Sequence, residues 1–159
     1  MAKPDSDLTV TPSLFDRLID REPGTSADPY ITRAQSVRQL KASLRRDLEW
    51  LLNTRQPLMP ELDSFPATAA SVLNFGLPDI QSFDGSRGKE YNGLLAAIEK
   101  CIRVFEPRIL QPRVYLERAD SLSRSLRFRI EGRLHYEDMD EEVKFDTVLE
   151  LISGEYEVK

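Results

Sequence analysis

The stretch Phe105-Glu106-Pro107-Arg108-Ile109 marks the point at which the sequence pattern changes from helical to extended. Pro107 cannot continue a helix, and it disfavours the helical conformation for Glu106 before it. Two opposite charges therefore flank a rigid residue, with apolar neighbours on both sides. Such a pair is either a latch that closes the helix end or a rigid charged hook for a partner. The residues alone favour the latch, because charges near helix ends usually serve the helix.

Two long amphipathic helices are predicted before this junction, over residues 33–53 and about 89–105. The apolar stripe of the first helix recurs at spacings of three and four and consists of Val37, Leu40, Leu44, Leu48 and Leu51. The stripe of the second helix consists of Leu94, Ile98, Ile102 and Phe105. Such spacings are typical of a helix that buries one side. Thr32 with Gln35 indicates a capping box at the start of the first helix.

The segment before residue 32 is predicted to stand apart from the main domain. Residues 1–10 are polar, residues 13–19 form a short amphipathic helix, and residues 22–29 form a loop that carries Pro23, Gly24 and Pro29. We therefore divide the chain into an N-terminal segment, residues 1–31, and a single domain, residues 32–159. A further short helix is predicted over residues 67–73, and Asn74 and Gly76 suit a turn.

Strand-type alternation follows the junction, over residues 113–117, 126–136, 143–151 and 155–158. In the second of these strands, Phe128 and Ile130 lie on the core side, whereas Arg129 and His135 lie on the solvent side. Residues 137–142 are predicted to form an acidic, solvated connector, and Ser153-Gly154 a hairpin turn. The predicted fold is α+β, with N-terminal helices packed on one face of an antiparallel β-meander. The edge strands of that meander, 113–117 and 155–158, are open to an added strand.

Composition indicates a globular protein without nucleic-acid-binding character. Charged residues make up 31% of the 159 residues and hydrophobic residues 40%, and the net charge is -5. Cys101 is the only cysteine, so we interpret it as a core residue rather than a catalytic thiol. The N-terminus has no apolar segment of a signal peptide, and no apolar run reaches membrane-spanning length. We therefore expect a cytoplasmic protein that does not insert into a membrane.

The region from Lys100 to Arg133 is locally basic. It contains nine basic and four acidic residues, a net charge of +5. Arginines favour planar, bidentate contacts with carboxylates. The region is therefore either a surface for an acidic protein patch or simply a solvated face of the sheet.

Four motifs together resemble the TssE family, the baseplate subunits of type VI secretion systems, which is similar to phage baseplate wedge proteins once labelled lysozyme-like. They are Ser13-Leu14-Phe15-Asp16-Arg17-Leu18, residues 44–55 (LRRDLEWLLNTR), residues 71–79 (SVLNFGLPD) and Phe105-Glu106-Pro107-Arg108. The match spans about residues 13–110. The one departure is Phe75, at a position where tyrosine is common in the family.

The resemblance implies a structural role that joins the wedge subunits TssF and TssG to the contractile sheath of TssB and TssC. It implies that Phe105, Glu106, Pro107 and Arg108 bind a partner, which favours the hook over the latch, although both roles can coexist. It also implies that the subunit templates the first sheath ring by strand exchange. No catalytic residue, cofactor, metal, small-molecule substrate or nucleic acid is expected.

The alternative function is a peptidoglycan-cleaving glycosidase, which the old family label suggests. Such an enzyme needs two carboxyl groups at a defined separation across the sugar. No acidic residue lies in a recognisable cleft motif, and a cytoplasmic protein does not meet peptidoglycan unaided. We therefore predict a protein that is not an enzyme.

Overall fold

The computed structural model describes residues 10–19, 23–24, 31–57, 64–79, 89–120, 125–136 and 139–159. Its helices are α1 (Leu14–Leu18), α2 (Arg33–Asn53), α3 (Pro66–Ala69) and α4 (Lys89–Phe105), with a 3-10 turn at Val72–Asn74. Its strands are β1 (Ile109–Asp120), β2 (Ser125–Tyr136), β3 (Met139–Glu150) and β4 (Tyr156–Val158). Helices thus precede a single antiparallel sheet, which confirms the predicted α+β class.

The chain forms two compact units, Met1–Arg46 and Asp47–Lys159, whose boundary lies within α2. The division that the sequence predicts, with a domain beginning at residue 32, stays a prediction.

In the first unit, the start of α2 is fixed by the predicted capping box. The Thr32 N–H donates to Gln35 Oε1 over 2.9 Å, and the Gln35 N–H donates to Thr32 Oγ1 over 3.4 Å. Four residues later in the chain, Ser36 accepts a hydrogen bond from the Val10 N–H at 3.2 Å. The bond from the Gln35 N–H satisfies one of the backbone donors that a helix start leaves without partners, and the bond from Val10 ties residue 10 to the first turns of α2.

The short helix α1 is held by its polar side. Ser13 caps it by accepting from the Asp16 N–H, and the Asp16 carboxylate lies 2.8 Å from Arg46 Nη1. The Arg46 guanidinium also lies 5.0 Å from the centre of the Phe15 ring, a cation–π arrangement. The apolar residues Leu14 and Leu18, which the sequence places on one side of this helix, are 66% and 75% exposed.

In the second unit, the four strands lie in sequence order, β1-β2-β3-β4. The face of β2 that the alternation predicts is buried, with Phe128 and Ile130 at 1% and 0% exposure, and His135 is exposed as predicted. Helix α4 lies against β1 and buries Leu94, Ile98, Cys101 and Ile102. The sheet therefore has one core face and one solvent face, as an antiparallel meander commonly does.

A bulge interrupts the pairing of β1 with β2. The register shifts between Leu110 and Arg113, and Gln111 takes a φ of 51°. Gly132 lies across from this bulge, where an added Cβ would come within 2.4 Å of the Ile109 side chain. The glycine thus allows the bulged backbone to approach β2 closely.

The predicted turn at residues 74–78 docks on the segment that follows α2. Gly76 has a φ of 108°, and an added Cβ would lie 2.3 Å from the Thr54 carbonyl oxygen. The Leu77 N–H donates to Thr54 O, and the Gln56 N–H donates to Leu77 O. A parallel bridge between Arg55 and Leu77 results.

Three predicted boundaries were wrong. The strand predicted over residues 113–117 is longer and runs from Ile109 to Asp120. The helix predicted at 67–73 begins at Pro66 and breaks after Ala69, because proline is favoured at the first helical position and Ser71 starts a separate 3-10 turn. Of the predicted acidic connector, residues 139–142 belong to β3, whereas residues 137–138 lie outside the described residues. The strand continues there in an unbroken register with β2, in which Glu142 lies opposite Arg133, a favourable cross-strand pair.

Candidate functional site

The motif that joins the helical and extended halves of the chain forms a β-turn. The Glu106 N–H makes the last hydrogen bond of α4, to Ile102 O at 2.8 Å, and the Ile109 N–H donates to Glu106 O at 3.1 Å. Pro107 takes the first central position of this turn, where its fixed φ is favoured. The Arg108 carbonyl accepts from the His135 N–H at 2.9 Å, which anchors the turn to β2.

The Arg108 side chain folds back over Pro107 onto Glu106. Its Nε lies 2.6 Å from Glu106 Oε1, and its Nη2 lies 2.5 Å from Oε2, so the pair is bidentate. The same Nη2 lies 2.7 Å from Oδ2 of Asp47 in α2. The Arg108 backbone N–H adds a fourth contact, to Glu106 Oε1 at 3.2 Å. One guanidinium thus ties the end of α4, the turn and α2 together.

Burial and charge act in opposite directions on Arg108. Burial by itself would lower the pKa of the guanidinium, but hydrogen bonds and charge from Glu106, and then from Asp47, raise that pKa above its ordinary value. Glu106 is only 5% exposed, and the Arg108 side chain is 17% exposed. The arginine is therefore permanently charged and supplies the counter-charge that a buried carboxylate needs.

The four predicted partner-binding residues differ in what they offer to another protein. Pro107 is exposed at the tip of the turn, whereas Glu106 is buried and engaged by Arg108. Phe105 is half-buried and packs edge-on against Phe75, with ring centres 5.3 Å apart. The geometry is that of the latch, and partner binding by these residues stays a prediction.

The predicted edge strands are the edges of the observed sheet, and β4 carries an unusual cap. The Asn53 carboxamide accepts from the Tyr156 N–H at 2.8 Å and donates to Tyr156 O at 2.9 Å. A neighbouring antiparallel strand would make the same two bonds. On the other edge, Glu99 Oε1 accepts from the Val114 N–H of β1 at 2.9 Å. Side chains of the helices thus occupy part of both edges.

At least four arginines of the locally basic region face carboxylates in the described structure, and the first of them, Arg103, lies 4.0 Å from Glu99. Arg108 pairs with Glu106 and Asp47, Arg129 lies 2.6 Å from Glu117 and 2.9 Å from Asp146, and Arg113 lies 3.9 Å from Glu99. Asp47, Glu99 and Asp146 come from outside the segment that was counted. The local charge excess in the sequence is therefore partly balanced in the fold.

The sequence interpretation missed Asp47, Asn53 and Glu99 as parts of these arrangements. No local signal could have identified them, because their partners lie 61, 103 and 15 residues away in the chain. The signal that did exist was the Glu-Pro-Arg motif itself.

The structure gives Cys101 a packing role. Its thiol is buried and donates to Gly76 O at 3.1 Å, and burial raises its pKa to about 12. Within the described residues, no group of three or more histidine, cysteine or acidic side chains is placed to hold a metal ion. None of the helices described is long and apolar enough for a membrane span.

Comparison with known proteins relates most of this architecture to one family. A family profile described as baseplate wedge protein gp25 matches residues 38–139, which run from α2 through α4 and the turn at Pro107 to the start of β3. No curated protein matches the chain.

Proposed function

The chain belongs to the baseplate wedge protein gp25 family, and from that premise we propose that it is a structural subunit of the baseplate of a type VI secretion system. Membership in this family gives a structural baseplate role. The narrower assignment to a secretion system rests on the four motifs that resemble TssE. In this role the subunit acts without catalysis, on the cytoplasmic side of a membrane-docked baseplate.

We propose that the wedge subunits TssF and TssG bind at the turn formed by residues 106–109. The observation that supports this is the exposed ring of Pro107, which sits on a turn fixed by the bidentate pair of Glu106 and Arg108. A rigid protrusion loses little conformational entropy when it binds. In this proposal the two roles of the motif are connected, because the buried ion pair of Glu106 and Arg108 positions the exposed Pro107 for its partner.

The second proposed contact is with the sheath subunits TssB and TssC, at an edge of the sheet. Edge strands present backbone donors and acceptors that an extended segment of another chain can use. A strand added there would give the first sheath ring a template. Since the turn and the sheet edges are different surfaces, both contacts can form at once.

The experiment that tests the wedge contact is co-purification of the tagged subunit with TssF and TssG from the same secretion system. Pro107→Glu adds bulk and charge to the exposed tip while leaving Glu106 and Arg108 in place. We expect this variant to melt close to the wild-type temperature and to bind the wedge at least about tenfold more weakly, a loss of about 1.4 kcal/mol.

The matched control is Arg103→Ala, which removes an exposed side chain from the last turn of α4. It should bind the wedge like the wild type. If the wild-type subunit does not co-purify with the wedge, the secretion-system assignment is wrong. If Pro107→Glu binds as well as the control, the wedge contacts another surface.

A further inference from the structure

A groove runs beside β4, between that strand and the C-terminal turn of α2. The lining includes the charged and amide side chains of Glu49, Asn53, Arg55, Glu150, Glu155 and Glu157. We propose that this groove receives an extended, basic segment of a partner protein, and that Asn53 occupies the place of one residue of that segment until it arrives. The inference rests on the proposed assembly role and specifies which sheet edge is used and by what kind of chain.

The hydrogen bonds of β4 show which of its backbone groups face the groove. The Glu150 N–H donates to Glu155 O, and the Lys159 N–H donates to Asp146 O. Residues 155, 157 and 159 therefore point their backbone groups toward β3, since pairing alternates along a strand. Tyr156 and Val158 point theirs away from β3, toward an added strand.

Asn53 already satisfies the first of these two outward positions. Its side chain makes both bonds that a paired residue would make with Tyr156. Only Val158 then remains for an incoming strand, and a single position is too little for stable pairing. Rotation of one exposed side chain would open the second position, so an arriving segment competes with Asn53 rather than with a packed element.

The charges of the groove select the partner. Four carboxylates line it against one arginine, and that arginine is engaged with the carbonyls of Leu52 and Gly154 at 3.1 and 2.5 Å. Lys159 lies 3.2 Å from Glu157, in a pair exposed to solvent. A second copy of this chain, paired edge to edge, would bring like charges together. A segment with lysine or arginine side chains fits instead.

The test measures the binding of fluorescent synthetic peptides to the isolated full-length chain. The probe alternates lysine with valine, and the comparison peptide alternates glutamate with valine. We expect the wild type to bind only the lysine peptide, with an affinity that falls as salt rises. Asn53→Ala should bind it about tenfold more tightly, because the two competing hydrogen bonds are gone. Glu150→Gln combined with Glu157→Gln should weaken binding.

Asn92→Ala, at an exposed asparagine of α4, is the matched control and should bind like the wild type. Exchange of the Tyr156 amide provides a second readout that does not depend on affinity. It should be protected in the wild type, exposed in Asn53→Ala, and protected again when the lysine peptide is added. Recovery of that protection also shows that the variant is folded.

The proposal is overturned if Asn53→Ala binds the lysine peptide no more tightly than the wild type, or if the glutamate peptide binds equally well. Because this assay contains no wedge subunit, its failure leaves the wedge contact at Pro107 standing. Conversely, loss of the wedge contact would leave a positive peptide result in place.

Discussion

Arg108 and Glu106 are two residues apart in the chain, yet their side chains form a bidentate ion pair across Pro107. The backbone N–H of Arg108 donates to the same carboxylate. The proline favours the turn, and the ion pair together with the Arg108 backbone bond closes it. Glu106 is almost fully buried, and Arg108 supplies a counter-charge beside its carboxylate in the folded subunit.

Arg108→Ala should therefore destabilise the isolated subunit. The substitution leaves the Glu106 carboxylate buried without its counter-charge, which costs about 3–5 kcal/mol. For a chain of this size, that corresponds to a fall in melting temperature of roughly 10 °C. Thermal and urea unfolding measure both quantities. Arg103→Ala is the control, because its exposed guanidinium lies 4.0 Å from Glu99 and such pairs contribute less than about 1 kcal/mol. An unchanged melting temperature for Arg108→Ala would show that the ion pair of Arg108 with Glu106 does not stabilise the fold.

The helices and most of the sheet could be predicted because their signals are local. The stripes of α2 and α4 repeat every three or four residues, and the alternation in β2 repeats every two, so each pattern is visible within one short window. Turn residues such as Gly76 and Pro107 are equally local. The resemblance to a family then added the role that no periodicity contains.

The contacts that complete the site could not be predicted, because they join residues that are distant in the chain. Asp47 meets Arg108 and Asn53 meets Tyr156 only after α2 and the sheet have packed. The strand boundary at Met139 was missed for a related reason. The acidic run by itself suggests a solvated loop, whereas residues 139–142 continue the pairing with β2, in which Glu142 lies opposite Arg133.

Gly76→Ala should strongly destabilise the docked turn at residues 74–78. The backbone there has a φ of 108°, and a Cβ would lie 2.3 Å from Thr54 O, an atom of the backbone that cannot easily move aside. We expect a loss of at least about 2 kcal/mol. The control is Gly24→Ala, where an added Cβ meets nothing within 4 Å and the change should stay within about 0.5 kcal/mol. Urea unfolding of the two variants distinguishes them, and equal stabilities would contradict the strain at Gly76.

The contact of Asp16 with Arg46 should weaken in acid. Burial by itself would raise the pKa of Asp16, but hydrogen bonds from Ser13 and Arg46, with the charge of Arg46, lower it below its ordinary value of 3.8. A carboxyl group with a lowered pKa in the folded state stabilises the fold above its unfolded-state pKa. That contribution is lost as the pH falls through the folded-state pKa.

We therefore expect Asp16→Asn to lower the free energy of unfolding by about 0.5–1 kcal/mol at neutral pH. The difference from the wild type should vanish at a pH where Asp16 is protonated in both the folded and the unfolded state. Unfolding free energies of the variant and the wild type, measured from pH 7 to pH 2, test this. The control is Arg17→Gln, on the exposed side of the same helix. Its difference in unfolding free energy from the wild type should not change between pH 7 and pH 2 in this way. A difference between Asp16→Asn and the wild type that stays constant with pH would rule out the ion pair as its cause.

Two proline substitutions in β4 should separate folding of the sheet from strand addition. Glu157 is in register with Val148 and points its N–H toward β3, whereas Val158 points its N–H away from that strand. Glu157→Pro removes a bond of the subunit's own ladder and should lower its melting temperature. Val158→Pro removes only an outward donor, so it should keep that ladder, lose some packing of the buried Val158 side chain, and block growth of the sheath from the baseplate while sparing the wedge. Sheath assembly with purified components, followed by electron microscopy, measures this, and normal sheath growth from Val158→Pro baseplates would show that strand addition occurs elsewhere.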